Sequence, residues 1–519
     1  MPKESIMERG KGGLKVTLNS VDEATSQDES DMARLGKPQQ FKRNFRFLST
    51  LGFTTTLMAT WESILLTSTL GLMNGGQAGM VYTYIVTFTG LFCAIISMAE
   101  IASICPTSGG QYHWVSEFAP ANCQKFLSYL TGWLSVVGWQ GAFASICFLC
   151  GTLVQGLLVL NQGENYTAER WHGTLLTFAI AFVATFVNTY AAGHLPSLEG
   201  LILILHIFGF FATIIPLWVM GERTETSIVF TEFRNGGGWA NMGLAVMVGQ
   251  ITTVFSFMGP DAATHIAEEI KDASRIVPWC MVSTAIINGI LGFLMLITYL
   301  FTMGDLESVV THPSGFSFLG AYVNATGSIG AATGLAFLIL LLEICSAISI
   351  LATSSRQTFA FARDNALPFS KFLANVNPKS KIPVNAVLLC TFATLLLSLI
   401  NIGSTAAFNA IASVTVGSLM ASYIIAIGAF ITRRLRAEPL PARRFSLGGL
   451  GLALNIFSVI YLSFAVIFTF FPSTKDVTLE SMNWSSLVLG AVVIFAIGQY
   501  IIHGKKIYAG PVATVQKTE

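Results

Sequence analysis

The sequence predicts an all-α polytopic membrane protein of twelve transmembrane helices. They form two inverted repeats of five, with helices one and six broken, followed by a peripheral pair. Three observations carry this. Of 519 residues, 53% are hydrophobic and only 11% are charged, whereas soluble domains carry about 25% charge. Apolar runs of about twenty residues, each able to span a bilayer, recur roughly twelve times. The first and sixth of these runs are interrupted by polar or helix-breaking residues. Matching interruptions five helices apart are the mark of an inverted repeat.

In chain order, residues 1–45 are polar and charged and have no apolar h-region. They read as a disordered cytosolic tail and not as a cleavable signal peptide. The apolar runs fall at 48–70, 80–104, 126–160, 173–192, 197–220, 241–268, 277–303, 318–355, 383–402, 405–432, 448–472 and 484–503. The third and eighth are long enough to tilt or to extend beyond the membrane. Residues 46–220 make the first repeat, 241–432 the second and 448–503 the last pair. Residues 504–519 form a cytosolic C-terminal tail.

Charge sets the orientation. Arg34, Lys37, Lys42, Arg43 and Arg46 precede the first run; Lys271 and Arg275 follow the sixth; Arg356, Arg363, Lys371, Lys379 and Lys381 follow the eighth. Arg433, Arg434, Arg436, Arg443 and Arg444 follow the tenth, and Lys505 and Lys506 the twelfth. Twelve helices place all of these on one side. The other side has only Arg170, Arg223, Arg234 and Lys475. Positive residues mark the cytosolic side, so both termini are expected in the cytosol. The sequons at Asn165, Asn324 and Asn483 fall in or beside the opposite loops, as glycosylation requires.

The interruptions locate the candidate site. In the sixth run, Gly259-Pro260 precedes Asp261, His265, Glu268 and Glu269. Proline removes a backbone donor and clashes with the preceding turn, so the helix breaks there. Broken backbone survives in hydrocarbon only where protein buries it or it lines a cavity. Such breaks are where many secondary transporters bind substrate. The first run is interrupted by Ala59-Thr60-Trp61-Glu62-Ser63. Thr60, Trp61, Glu62, Ser63, Phe255, Phe257, Met258 and Gly259 are therefore the expected substrate-binding residues, with Gln140 on the third helix as a polar lining group. Aromatic faces attract ammonium groups, and Glu62 is an ionisable group at membrane depth, costly and so a functional candidate that could face an ammonium group or take up a proton; the alternative is a structural carboxyl bonded to a neighbouring helix.

Asp261 and His265 are four apart and share a helical face. They are expected to relay a proton or gate the cytosolic path. Glu268 and Glu269, just before Lys271 and Arg275, are expected at a gate salt bridge. His206 and Glu343 are lone ionisable groups in the fifth and eighth runs; each either titrates during proton-coupled transport or bonds across helices. Ser346, Ser349 and Thr353 form a hydroxyl stripe beside Glu343, read as packing.

Other chemistries find no support. No phosphate-binding Gly-rich loop with Lys-Ser/Thr occurs, no nucleophile–base motif stands out, and no His/Cys/Asp/Glu cluster has metal-ligand spacing. No cofactor or metal is expected, and no enzyme activity. Cys147 and Cys150 make a C-x-x-C inside an apolar helix, where both read as small packing residues.

Several motifs are familiar. Ser97-Met-Ala-Glu-Ile-Ala-Ser103 and Pro106-Thr-Ser-Gly-Gly-Gln-Tyr-His-Trp114 resemble the second-helix and loop signature of the amino acid–polyamine–organocation superfamily. Ala59-Thr-Trp-Glu62, Asn74-Gly-Gly76, His265-Ile-Ala-Glu-Glu269, Ile276-Val-Pro278 and Phe361-Ala-Arg-Asp-Asn-Ala-Leu-Pro368 extend the likeness over about residues 45–500. The chain is similar to the fungal branch of GABA permeases and choline transporters. The resemblance implies a leucine-transporter-like fold, a site around 59–63 and 255–260, and a cytosolic gate including Glu100 and Gly109-Gly110. It implies proton-driven symport of a small amine-bearing metabolite, GABA or another amino acid first. Choline or another quaternary amine, a polyamine, and a nitrogenous secondary metabolite are the alternatives; a nutrient-sensing receptor on a transporter fold is the alternative of another class. The implied location is the plasma membrane, with the vacuolar membrane as alternative. In place of the Gly-rich first break of many amino acid permeases stands Thr60-Trp61-Glu62, whose acid suits a cationic substrate.

Overall fold

The computed structural model describes residues 24–403, 407–479 and 481–511. It begins with α1 (Ser26–Leu35), which precedes the first membrane passage. That passage is divided into α2 (Phe47–Met58), α3 (Thr60–Leu66) and α4 (Ser68–Met73). Then come α5 (Gly76–Ile104), α6 (Gln111–Phe118), α7 (Gln124–Gln162), α8 (Arg170–Tyr190), α9 (Leu195–Met220) and the short α10 (Thr226–Thr231). The sixth passage is divided into α11 (Met242–Gly249), α12 (Ile251–Ser256) and α13 (Ala262–His265). It leads to α14 (Ala273–Thr302), α15 (Leu306–Val310), α16 (Ser317–Thr326), α17 (Ile329–Arg363) and α18 (Ser370–Leu373). The ninth passage is α19 (Val384–Ser398) with α20 (Ile400–Gly403), and α21 (Ala407–Leu435), α22 (Gly451–Phe468) and α23 (Ser485–Gln499) complete the bundle.

Ten helices are long and apolar enough to cross a membrane among the described residues. The two interrupted passages bring the total to the expected twelve. Helices that correspond in the two halves pack on one another: α3 with α12, α5 with α14, α7 with α17, and α8 with α19. That pairing is what a pseudo-two-fold axis in the membrane plane produces. The fold is the leucine-transporter-like inverted repeat. Helices α22 and α23 lie outside it, on α5, α7 and α21.

Two expectations are corrected. The apolar run 318–355 is not one long helix. Gly327 takes a left-handed conformation that ends α16, and the Ser328 hydroxyl caps α17 by accepting from Ala331 N. Nor is all of 1–45 a disordered tail. From Thr25 onward the chain is a folded strap across the basic end. Asp28 accepts hydrogen bonds from the amides of Asp272 and Ala273 at 2.9 and 3.1 Å and pairs with Arg43 at 3.2 Å. Met32, Leu35, Phe41 and Phe45 are buried beneath it. Ion pairs and caps, not an apolar run, hold this segment, so hydropathy alone does not find it.

The two breaks are stitched together. Ala59 has φ 41°, a left-handed conformation costly for a residue with a Cβ. Asn288 of α14 bridges that break: its Oδ1 accepts from Thr60 N at 3.3 Å and its Nδ2 donates to Thr55 O at 3.1 Å. Ser346 donates to Leu57 O at 2.8 Å, and the Thr60 hydroxyl donates to Ser256 O across the second break at 2.7 Å. Gly259 has φ 96°, and a Cβ there would lie 2.7 Å from a Leu57 methyl. Only glycine serves at that point. Replacing Asn288 by Ala takes its side-chain partner from the buried Thr60 amide, while the Thr55 carbonyl keeps the Ala59 N–H, at a cost of about 1–3 kcal/mol. The purified Asn288→Ala protein is expected to melt at lower temperature; an unchanged melting curve would remove Asn288 from this role.

Candidate functional site

Above the breaks, on the side away from the basic residues, lies a cavity of about 440 Å³. Leu66, Leu70, Phe148, Thr252, Phe255 and Phe316 are among its walls. Of the expected substrate-binding residues, only Phe255 lines it. Thr60, Trp61, Glu62, Ser63, Phe257, Met258 and Gly259 are buried. Glu62 lies one helical turn before Leu66, so these residues sit beneath the cavity floor.

There the structure brings together groups that the sequence only scattered. His206 Nδ1 of α9 is 2.6 Å from Glu62 Oε1 of α3. Ser63 donates to Glu343 Oε1 of α17 at 3.3 Å. All four residues are buried. Glu62 Oε2, Glu343 Oε2, His206 Nε2, the Tyr322 hydroxyl and the Trp61 indole N–H have no hydrogen-bond partner. Buried polar atoms are normally paired. Here several partnerless atoms fall on neighbouring side chains. The Trp61 ring packs against His206 and Phe210, and Phe257 packs against Tyr84 and Phe88.

Glu199 of α9 did not figure among the expected residues. It is fully buried; Oε1 accepts from Ser349 at 2.7 Å and Oε2 from Thr56 at 3.2 Å. It joins α2, α9 and α17. Its signal in the sequence was the same as that of Glu62 and Glu343, a lone acid in an apolar run. The hydroxyl stripe is likewise committed, Ser346 to Leu57 O, Ser349 to Glu199 and Thr353 to its own helix.

Below the breaks, Asp261 is saturated. Tyr423 donates to Oδ1 at 2.5 Å and Gln111 to Oδ2 at 2.7 Å. His265 Nδ1 faces Ser108 O at 3.1 Å, while the Trp139 indole N–H donates to Nε2 at 3.0 Å. The same Nε2 stands 3.2 Å from Asp261 Oδ2. Asp261 and His265 thus tie the second break to α6, α7 and α21.

The basic end is closed by ion pairs. Glu268 takes both guanidinium nitrogens of Arg363 at 2.8 Å, and Glu269 pairs with Arg356 at 2.7 Å. Glu100 is held by Arg434 and, at 2.8 Å, by Arg443. Lys37 of the strap pairs with Asp364. The partners of Glu268 and Glu269 are therefore arginines of α17 and not the adjacent Lys271 and Arg275. Sequence proximity pointed to the wrong cations, because the short turn Ala267–Glu269 aims both acids at α17.

Three further expectations are corrected. Gln140 does not line the cavity: its amide donates to Cys390 O and the Thr394 hydroxyl, both at 2.9 Å, and so ties α7 to α19. Asn483 is no glycan acceptor here, since its amide nitrogen is buried and donates to Thr469 O and Phe471 O. Asn165 is exposed, as is Asn324, although the Asn324 amide donates to Met303 O at 3.0 Å. Finally, metal-ligand side chains do converge in space: the ligand atoms of Cys105, His113 and Glu117 all lie within 4.8 Å of one another. Cys105 ends α5 and the other two lie on α6, so only the turn between the helices brings the thiol to them.

A two-break inverted repeat with buried acids at the breaks, open on one side and closed on the other, defines a secondary transporter. Residues 45–494 match the family model described as amino acid permease. The chain belongs to that family. It is 30% identical to the choline transporter of Saccharomyces cerevisiae over 90% of this chain and 82% of that protein. It is 30% identical to an uncharacterized amino-acid permease of Schizosaccharomyces pombe over 99% and 94%. Amino-acid permease 2 of Neurospora crassa is 26% identical over 94% and 90%. Among solved structures, a manganese transporter of Eremococcus coleocola superposes with a TM-score of 0.57 at 12% identity, covering 97% of this chain and 99% of that one. That likeness is one of fold.

Removing one partner of a buried ion pair costs about 3–5 kcal/mol, because the other charge is left uncompensated. Arg363→Ala is accordingly expected to lower the melting temperature strongly, and Glu268→Gln with Arg363→Gln to recover part of the loss. If the double variant is no better than Arg363→Ala, the pair is not what holds this end shut.

Proposed function

We propose that this permease is a proton-coupled symporter that imports a small amine-bearing metabolite, GABA or another amino acid first. One observation carries the reading. Two buried carboxyl groups, Glu62 and Glu343, are linked through Ser63, and each retains an oxygen without a partner. A substrate ammonium group would supply the missing charge and donors. It would enter through the cavity above Leu66 and Phe255. Glu62, Ser63 and Glu343 would then hold it between the broken helices, with Trp61, Phe255, Phe257 and the Met258-Gly259 backbone as the wall.

His206 supports the coupling half of the reading. An imidazole is the side chain whose charge changes near neutral pH, and this one touches Glu62 itself. A proton arriving at the Glu62–His206 pair changes the charge that the substrate meets, which ties the two loads together. In the orientation that the arginines and lysines favour, the closed end faces the cytosol and the cavity faces outward. Residues 46–220 and 241–432 would rock as two related halves around the site, beside the peripheral pair 448–503, in the plasma membrane.

Choline is the second reading. Among the described residues no arginine or lysine contacts either acid to hold a substrate carboxylate. The Trp61, Phe210 and Tyr322 rings nearby offer faces to a quaternary ammonium group. The choline transporter among the relatives points the same way.

Uptake of radiolabelled GABA, neutral amino acids, choline and polyamines in a permease-deficient host separates these readings. Glu62→Gln should reach the membrane and lose at least about 30-fold in apparent affinity, the equivalent of about 2 kcal/mol for a desolvated charge pair. Normal kinetics would take Glu62 out of the site. Uptake should also acidify the interior and collapse with the proton gradient; dependence on sodium instead would sink the proton assignment.

A further inference from the structure

At the basic end, away from the buried acids, three side chains of another kind meet. Cys105 caps the end of α5, and His113 and Glu117 lie one turn apart on α6. The Cys105 thiol donates to Glu117 Oε2 at 2.8 Å, and His113 Nε2 stands 4.0 Å from the same oxygen. Thiol, imidazole and carboxylate together are a donor set for zinc-class divalent cations, and three protein ligands leave a fourth position open.

The imidazole supplies an independent reason to look for a ligand. His113 is 1% exposed, yet neither of its ring nitrogens has a hydrogen-bond partner. Leaving such atoms unpaired in the interior is costly.

A cation already stands at the cluster. Arg34, from α1 of the strap, donates to Glu117 Oε1 at 3.0 Å and lies 3.7 Å from Cys105 Sγ. It also donates to Ile104 O. The guanidinium thus neutralises the same carboxylate that a metal ion would use.

We propose that Cys105, His113 and Glu117 form a binding site for a divalent cation of the zinc class, and that this cation competes with the Arg34 guanidinium. Binding deprotonates Cys105, whose proton passes to solvent, and replaces the thiol–Glu117 hydrogen bond with metal–ligand bonds. Arg34 loses its carboxylate partner, so occupancy loosens one of the ties that hold α1 over the basic end.

The test titrates the full-length protein in detergent or nanodiscs with Co²⁺, whose thiolate complex has a charge-transfer absorption band, and then with Zn²⁺ as competitor. The expected result is one Co²⁺ per chain with that band, displaced by Zn²⁺. Cys105→Ser should abolish the band. His113→Gln and Glu117→Gln should each weaken binding by at least about tenfold. Arg34→Gln leaves all three ligand residues in place and should tighten Co²⁺ binding several-fold, a gain that misfolding cannot mimic. A band that survives in Cys105→Ser, the absence of any band in the unmodified protein at millimolar Co²⁺, or an Arg34→Gln protein with unchanged or weaker affinity would each overturn the proposal.

Discussion

Two interrupted helices leave backbone amides and carbonyls that hydrocarbon cannot solvate, and the architecture of this permease turns on how those groups are bonded. Asn288 spans the first break from one side, Ser346 caps a carbonyl from another, and Thr60 reaches across to the second break. The bonds come from α14 and α17 of the second half to α2 and α3 of the first. The unsatisfied backbone therefore couples the halves at the level of the site. A ligand that enters here meets groups whose positions are fixed by backbone necessity, and any rearrangement of the breaks must move α14 and α17 with them.

Around that junction the charges divide by depth. At the basic end Glu100, Glu268 and Glu269 each have a guanidinium partner, from arginines of α17, of the end of α21 and of the segment that follows it. Within the membrane no arginine or lysine reaches Glu62, Glu199 or Glu343 among the contacts of the described residues; their partners are hydroxyls and one imidazole. The first group has the charge balance of a shut door. The second has no such balance. The strap formed by α1 and residues 37–45 adds to the closed end, because Asp28, Arg34, Lys37 and Arg43 each reach a different element there.

Much of this was legible in the sequence, for physical reasons. Twelve passages follow from apolar length, and both breaks follow from local chemistry: Pro260 cannot continue a helix, and Glu62 cannot face lipid. The motif from Ser97 to Trp114 and its companions placed the chain in its family. Ion pairing of Glu268 and Glu269 was expected, but not with these partners, because Arg356 and Arg363 lie 87 and 95 positions away and reach the acids only through the course of α17. Gln140 and Asn483 misled for the converse reason. Each has a side chain whose type suggests a role in solvent or substrate binding, and each is occupied in holding helices together. The strap escaped notice because it has no periodic apolar pattern; it is held by caps and ion pairs to residues far along the chain.

The sequence by itself determined what cannot be negotiated with the membrane: how many times the chain crosses, where it must break and which residues are too polar to face lipid. Those constraints act on each residue through its nearest neighbours and the solvent, so a linear string records them. Only the tertiary structure decided which polar groups share a space. It joined Glu62 to His206, set Glu343 beside them through Ser63, buried Glu199 among hydroxyls, and gathered Cys105, His113 and Glu117 behind Arg34. Apart from the one-turn spacing of His113 and Glu117, such pairings depend on how separate segments of the chain pack, and side-chain spacing along the chain carries no record of that.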